Sequence, residues 1–251
     1  MQHISKATHL RILLINPNTT ESVTELVAHH VAAIAGDTAT FVPVTGAFGA
    51  RYISSRASAA IAAHAALDAL AKHGDGVDAV YLACFGDPGL LALREISKVP
   101  VVGMAEASCL EAARTGRFSI VTGGALWGPM LTEFVAGIGL ADRLTGVRTV
   151  APTGGEIAAN PDAALASLAA ACRACAIEDG ADVVILGGAA LAGLAARIQP
   201  DVPVPVLCSV ATGTQAVIAA AATRQRDDHA RPPALESVGL SAELSALLRW
   251  K

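Results

Sequence analysis

The sequence predicts an α/β protein made of two pseudo-symmetric halves, each a short, mainly parallel sheet flanked by helices. Three observations carry this. The chain of 251 residues is 53% hydrophobic but only 4% aromatic, so its core must be built from aliphatic side chains, which suits packed layers of strands and helices. Short β-branched runs alternate with longer Ala-rich segments, the pattern of parallel strands joined by crossover helices. Two stretches of the chain also recur, in the same order and at nearly the same spacing.

RILLIN (11–16) is the first strand, followed by PNTTESVTELVAHHVAAIAG, where Thr19 or Thr20 is placed to cap a helix and Gly36 to end it. TATFVPV (38–44), DAVYLACF (78–85), VPVVGM (99–104), RFSIVTG (117–123), DVVILGG (182–188) and VPVPVL (202–207) read as the later strands. RILLINPNTTESVTELVA resembles RFSIVTGGALWGPMLTEFVA, with Arg11 against Arg117 (117 − 11 = 106) and Asn16 against Thr122. VDAVYLACFGDPGLLALREISKVPVVGM lies against ADVVILGGAALAGLAARIQPDVPVPVLC, with Cys84 against Gly188 (188 − 84 = 104). The halves are therefore set at 1–112 and 113–223, with part of the chain free to cross between them. Residues 224–251 turn towards charge and proline and read as a linker ending in a short amphipathic helix around SAELSALLRW.

The net charge of −4, with no Lys or Arg cluster, leaves neither nucleic acid nor an anionic membrane an electrostatic footprint to meet. A small molecule is the expected partner. No apolar run is long enough for a signal or a membrane span, so a cytoplasmic location is expected. Five irregularly spaced cysteines do not make a disulfide framework. Cys172 and Cys175 form a CxxC pair without a second pair or a nearby His, which reads as helix packing rather than a metal site. The Gly123–Gly124 pair falls short of a dinucleotide fingerprint. No metal and no cofactor are expected.

In open α/β sheets, ligands bind at the carboxyl ends of the strands. Asn16, Cys84, Thr122 and Gly188 all fall there, so one active site is expected in the cleft between the halves. Cys84 is followed by Phe85, Gly86, Asp87, Pro88 and Gly89, a turn whose amides can hold an anionic oxygen. Placed near the start of the next helix, its thiol is expected to have a lowered pKa. Arg51 and Tyr52, in the loop after the second strand, are candidates to touch a ligand. Asp87, before a proline, reads as a structural turn residue.

INPNTT (15–20), GARYISSR (49–56), ACFGDPGL (83–90), VVGMAEAS (101–108), RFSIVT (117–122) and VVILGGAALAG (183–193) together resemble the aspartate/glutamate/hydantoin racemase superfamily, in its hydantoin and allantoin racemase branch. The resemblance spans nearly the whole chain apart from its ends. It implies two similar α/β domains around a substrate, no cofactor, and a pair of cysteines on opposite faces of a carbon acid, one removing the α-proton and the other delivering one. Cys84 matches the first cysteine. The family pattern LGCAGMAG reads here as LGGAALAG, so Gly188 stands where the second is expected. Asn16 and Thr122 match positions that hold substrate oxygens, and Tyr52, Phe85, Gly86, Gly123, Gly188 and Ala189 complete the expected binding set.

The expected function is thus a cofactor-independent racemase or epimerase of a carbon acid, hydantoin-like or a related small amide, with the Cys84 thiolate as base. Cys208, at the end of the last strand, is the candidate for the missing second group, with water as the alternative. Two other readings stay open. One is a one-cysteine decarboxylase or isomerase of the type that arylmalonate decarboxylase and maleate isomerase resemble; the other is a non-catalytic small-molecule binding protein. Family members are also similar in forming homo-oligomers.

Overall fold

The computed structural model describes residues 9–151, 153–223 and 236–249. In chain order the elements are β1 (Leu10–Asn16), α1 (Glu21–Ala35), β2 (Ala39–Thr45), α2 (Arg56–His73), β3 (Ala79–Leu82), α3 (Leu90–Ile96), β4 (Val101–Gly103) and α4 (Met104–Thr115). They continue as β5 (Phe118–Gly123), α5 (Trp127–Gly137), β6 (Leu144–Val150), α6 (Gly154–Ala159), α7 (Pro161–Ile177), β7 (Val183–Leu186), α8 (Leu194–Ile198), β8 (Val206–Cys208), α9 (Ser209–Thr223) and α10 (Ala242–Arg249). The strands form two parallel four-stranded sheets, ordered β2-β1-β3-β4 and β6-β5-β7-β8. The same order in both gives the internal repeat its structural meaning.

The central strands are mostly apolar because both faces of each sheet are covered. Ile12 and Leu14 of β1 point into a core shared by the two sheets, together with Phe118 and Ile120 of β5 and Val183 and Ile185 of β7. Leu13 and Ile15 point the other way, against α2, α3 and α10. Val121, Val184 and Leu186 are covered in the same way by α7 and α8. Each fully buried Leu or Ile of this kind contributes on the order of 2 kcal/mol through water exclusion.

The two sheets exchange helices. Following β4, α4 reaches β5, β7 and β8, while α9, following β8, lies on β1, β3 and β4. The sequence boundary at 112/113 falls inside α4, so the chain crosses between halves through a helix rather than a linker. At the C-terminus, α10 packs on α2 with Leu244 fully enclosed; the expected linker at 224–235 lies outside the described residues. No helix among the described residues is long and apolar enough to cross a membrane.

Two of the changes from the expected strands have a clear cause. LTGVRTV forms β6, which the sequence reading left out: as an edge strand it is only half-buried and carries Gly146 and Arg148, so it lacks an apolar run. VPVPVL shrinks to Val206–Cys208, because Pro203 and Pro205 have no N–H for the ladder; the Pro205 carbonyl accepts from Val184 N at 2.9 Å.

Candidate active site

A cavity of about 170 Å³ opens where the strand ends of the two sheets face each other. Its walls come from the loops after β1 (Asn18), β2 (Tyr52, Ile53, Ser54), β3 (Ala83, Cys84, Phe85), β5 (Thr122, Gly123, Trp127), β6 (Thr153, Gly154) and β7 (Gly187 to Leu191). A larger groove of about 670 Å³ runs between α4, α9 and the edge strand β4. That groove has no cysteine among its lining residues and its Arg94 and Glu106 pair with each other, so the smaller cavity is the candidate active site.

Cys84 leaves β3 and packs in an apolar nest with Ile53, Ala62 and Trp127. Burial, and after it the nearby Asp87 carboxylate, push its thiol well above the ordinary range. This reverses the expected lowering. The helix that was to activate the thiol, α3, begins only at Leu90, and a buried acid stands between.

Asp87 explains the turn. Held at φ 47°, it points into the structure and accepts hydrogen bonds from Ala105 N (2.9 Å) and Glu106 N (2.7 Å), capping α4 where Gly103 has no side chain to do so. Burial raises its carboxyl to about 7, against the downward pull of those two N–H groups. The turn bearing Cys84 is thereby fastened to the helix that bridges the two sheets.

Asn16 does not line the cavity. Its amide N–H groups donate to Asn18 Oδ1 (2.9 Å) and Thr24 Oγ1 (2.9 Å), and its Oδ1 accepts from Asn18 N at 3.3 Å. It orders the loop, and Asn18 reaches the cavity in its place. Because Asn18 Oδ1 already accepts from Asn16 and from Thr20 N (2.8 Å), the group Asn18 can offer a ligand is its amide donor. Thr20 Oγ1 donates to Arg51 O at 2.7 Å, tying this loop to the one that carries Tyr52. Arg51 itself is exposed and outside the lining.

Thr122 and Gly123 line the cavity from β5, as expected, and Gly188 and Ala189 from β7. Gly188 sits at φ +141°, a conformation that side chains other than glycine rarely adopt, and its N–H donates to Ser209 Oγ at 3.1 Å. Gly86 is a seat rather than a wall: a Cβ there would stand 2.7 Å from the Trp127 ring. Across the cleft, Phe85 lies on Gly187 and Tyr52 lies on Gly155, each so close that a Cβ would overlap the ring.

Cys208 is the clearest departure. Its strand, β8, is the outer edge of the second sheet, and the side chain packs against the apolar clusters on both faces rather than lining the cavity. Its neighbour Ser209 is the residue turned towards Gly188. Cys172 and Cys175 are buried in the outer core of the second half, where burial pushes Cys172 up to about 12 and Cys175 up to about 11.

Two parallel four-stranded sheets meeting at their strand ends define a class of α/β proteins whose members are similar to this chain in both sequence and shape. The family model described as Asp/Glu/hydantoin racemase matches residues 12–217, and the chain belongs to that family. It is 32% identical to a hydantoin racemase of a Pseudomonas strain over 208 residues, covering 82% of this chain and 84% of that one. A hydantoin racemase of Paenarthrobacter aurescens is also 32% identical, over 79% of this chain and 85% of that one. Among solved structures, the allantoin racemase of Pseudomonas fluorescens superposes with a TM-score of 0.88 at 29% identity, covering 92% of this chain and all of that one. Unliganded arylmalonate decarboxylase, 19% identical with a TM-score of 0.57, shares the fold over 85% of this chain and 93% of that one. The protein is a racemase-type isomerase of this family.

Proposed function

We propose that the protein racemises or epimerises a small neutral carbon acid, a hydantoin-like cyclic amide, with Cys84 as a proton-transfer group and no cofactor. The observation that carries this is the composition of the cavity: among the described residues, its wall holds a thiol, hydroxyls, an amide and apolar groups, but no Lys, Arg, Asp or Glu. A free amino acid would bring two charges into that space with no counter-ion, at a cost of several kcal/mol. A cyclic amide brings only carbonyls and N–H groups, which hydroxyls and an amide can satisfy.

In this mechanism the Cys84 thiol loses its proton to solvent as substrate enters, and the thiolate removes the hydrogen from the carbon beside the carbonyl. Negative charge then develops on the carbonyl oxygen. The Asn18 amide and the Thr122 hydroxyl are the donors that stabilise it. Because the thiol rests well above its usual value, activity rises with pH over the neutral range.

A second reading is favoured by one observation: Cys84 is the single cysteine in the described wall, with Gly188 at the matching position of the other half. A lone thiol suits decarboxylation followed by protonation of the enolate on one face. NMR in deuterium oxide on hydantoins, allantoin, amino acids and aryl malonates separates the two. Cys84-dependent α-deuteration with loss of optical rotation supports racemisation, and carbon dioxide release from an aryl malonate overturns it.

A further inference from the structure

Racemisation by proton transfer calls for an acid on the face of the carbon opposite Cys84, and the second half offers no thiol there. We infer that the Tyr52 phenol is that second acid/base group, an assignment that rests on the racemase reading above.

The wall of the cavity contains few groups that can exchange a proton with a carbanion. Ser54, Thr122 and Thr153 are alcohols, far weaker acids than a thiol or a phenol, and the Thr153 hydroxyl already donates to Glu156 Oε2 at 2.8 Å. Cys208 is outside the wall. Of the two tyrosines in the chain, Tyr81 is buried in the shared core, where its hydroxyl donates to Val210 O at 3.3 Å. Tyr52 remains: it lines the cavity, and no residue of the wall apart from Cys84 carries a comparably acidic hydrogen.

Its position is as telling as its chemistry. The backbone of Tyr52 belongs to the loop after β2 in the first half, but its ring crosses the cleft and rests on Gly155 of α6 in the second. Helix α6 packs on the turn at Ala189–Leu191 that follows Gly188, and a Cβ on Gly154 would sit 3.5 Å from Ala190 Cβ. The ring is thus seated beside the turn that carries Gly188, the position matching Cys84 in the other half. It can be seated there because residue 155 has no side chain.

The step balances without a co-reactant. The Cys84 thiolate takes the α-hydrogen and becomes a thiol, and the carbanion takes the Tyr52 Oη hydrogen and leaves a phenolate. The opposite enantiomer uses the same pair in reverse, with phenolate as base and thiol as acid.

The test follows each enantiomer of a 5-substituted hydantoin separately in deuterium oxide, with wild type, Tyr52→Phe and Gly155→Ala. Tyr52→Phe removes one oxygen from a partly exposed side chain, and Gly155→Ala suits a helix while taking the space of the ring. The expected result is that both variants invert at least about 100-fold more slowly, while one enantiomer still exchanges its α-hydrogen with retention through Cys84. Inversion within about threefold of wild type in Tyr52→Phe overturns the assignment and leaves the racemase reading standing. Equal loss of exchange and inversion also overturns it, because a residue that only grips substrate acts on both. Wild type that exchanges no hydantoin hydrogen removes the racemase reading and the assignment together.

Discussion

After β3 the chain runs Ala83-Cys84-Phe85-Gly86, and after the matching strand β7 it runs Gly187-Gly188-Ala189-Ala190. Both turns enter the same cavity from equivalent strands of equivalent sheets. The first brings a thiol and an aromatic ring, whereas the second brings backbone and methyl groups. The contrast extends beyond these turns: Phe85, Tyr52 and His30 of the first half each press a ring onto a glycine of the second, at Gly187, Gly155 and Gly193. Among the described residues, only Trp127 runs the other way, onto Gly86. A repeated architecture has become a division of labour, in which one half projects side chains and the other is hollowed to receive them.

The largest effect that this division predicts is at Cys84. Cys84→Ala should lower inversion of either enantiomer of a hydantoin, and α-deuterium exchange of the enantiomer that Cys84 deprotonates, by about 10³-fold or more, since every inversion uses this thiol as base or as acid. The fold should persist, because the substitution removes a single sulfur from an apolar nest. Circular dichroism beside the exchange assay checks both halves of the statement. Inversion that survives in the variant would mean that the asymmetry of the two turns has no bearing on catalysis.

A second comparison concerns the backbone. At φ +141° Gly188 holds a conformation costly for any other residue, and Gly188→Ala should lower stability by about 1–3 kcal/mol through that strain, since its Cβ would meet Leu191 only at an ordinary 3.5 Å. Urea unfolding measures it. A neutral result would show that the second turn is free to carry side chains and is glycine-rich for another reason.

Asp87 tests how the first turn is held. Its carboxyl, raised by burial to about 7, lies above the value of about 3.9 for an unfolded chain. The folded state therefore binds the proton more tightly, and the stability linked to it is complete below about pH 4 and is lost as the pH rises through about 7. Asp87→Asn cannot titrate. Between pH 5 and pH 8 wild type should lose about 2–3 kcal/mol more than the variant in urea unfolding, and parallel losses would remove Asp87 as the titrating group.

What was legible in the sequence follows from burial. Central strands β1, β3, β5 and β7 are covered on both faces and read as mostly apolar runs, so the residues at their ends, Cys84, Thr122 and Gly188, could be placed in the cleft. Edge strands β6 and β8 lack that signal, and with β8 went the placement of Cys208. Asn18 was missed because Asn16 and Asn18 are both polar residues of one short loop. Which of them turns inward is decided by Thr24, a full helical turn into α1. Thr153 and Trp127 stand at the starts of α6 and α5, and their approach to the cleft depends on how the halves dock. A capping box, Thr153 with Glu156, was the one signal available for the former.

The smallest expected effect belongs to Cys208, and its smallness sharpens the comparison. Cys84 and Cys208 both sit at the carboxyl end of a parallel strand, so strand-end position alone does not make a catalytic thiol. β3 is an inner strand whose turn opens into the cavity, but β8 is the outermost strand of its sheet and runs directly into α9, so its end is turned towards the packed helices. Cys208→Ala should therefore change hydantoin exchange and inversion by less than about threefold, where Cys84→Ala lowers inversion by about 10³-fold or more. A tenfold or greater loss of inversion with exchange retained would bring Cys208 into proton delivery and displace Tyr52 from that role, because each face of the carbon has room for one donor.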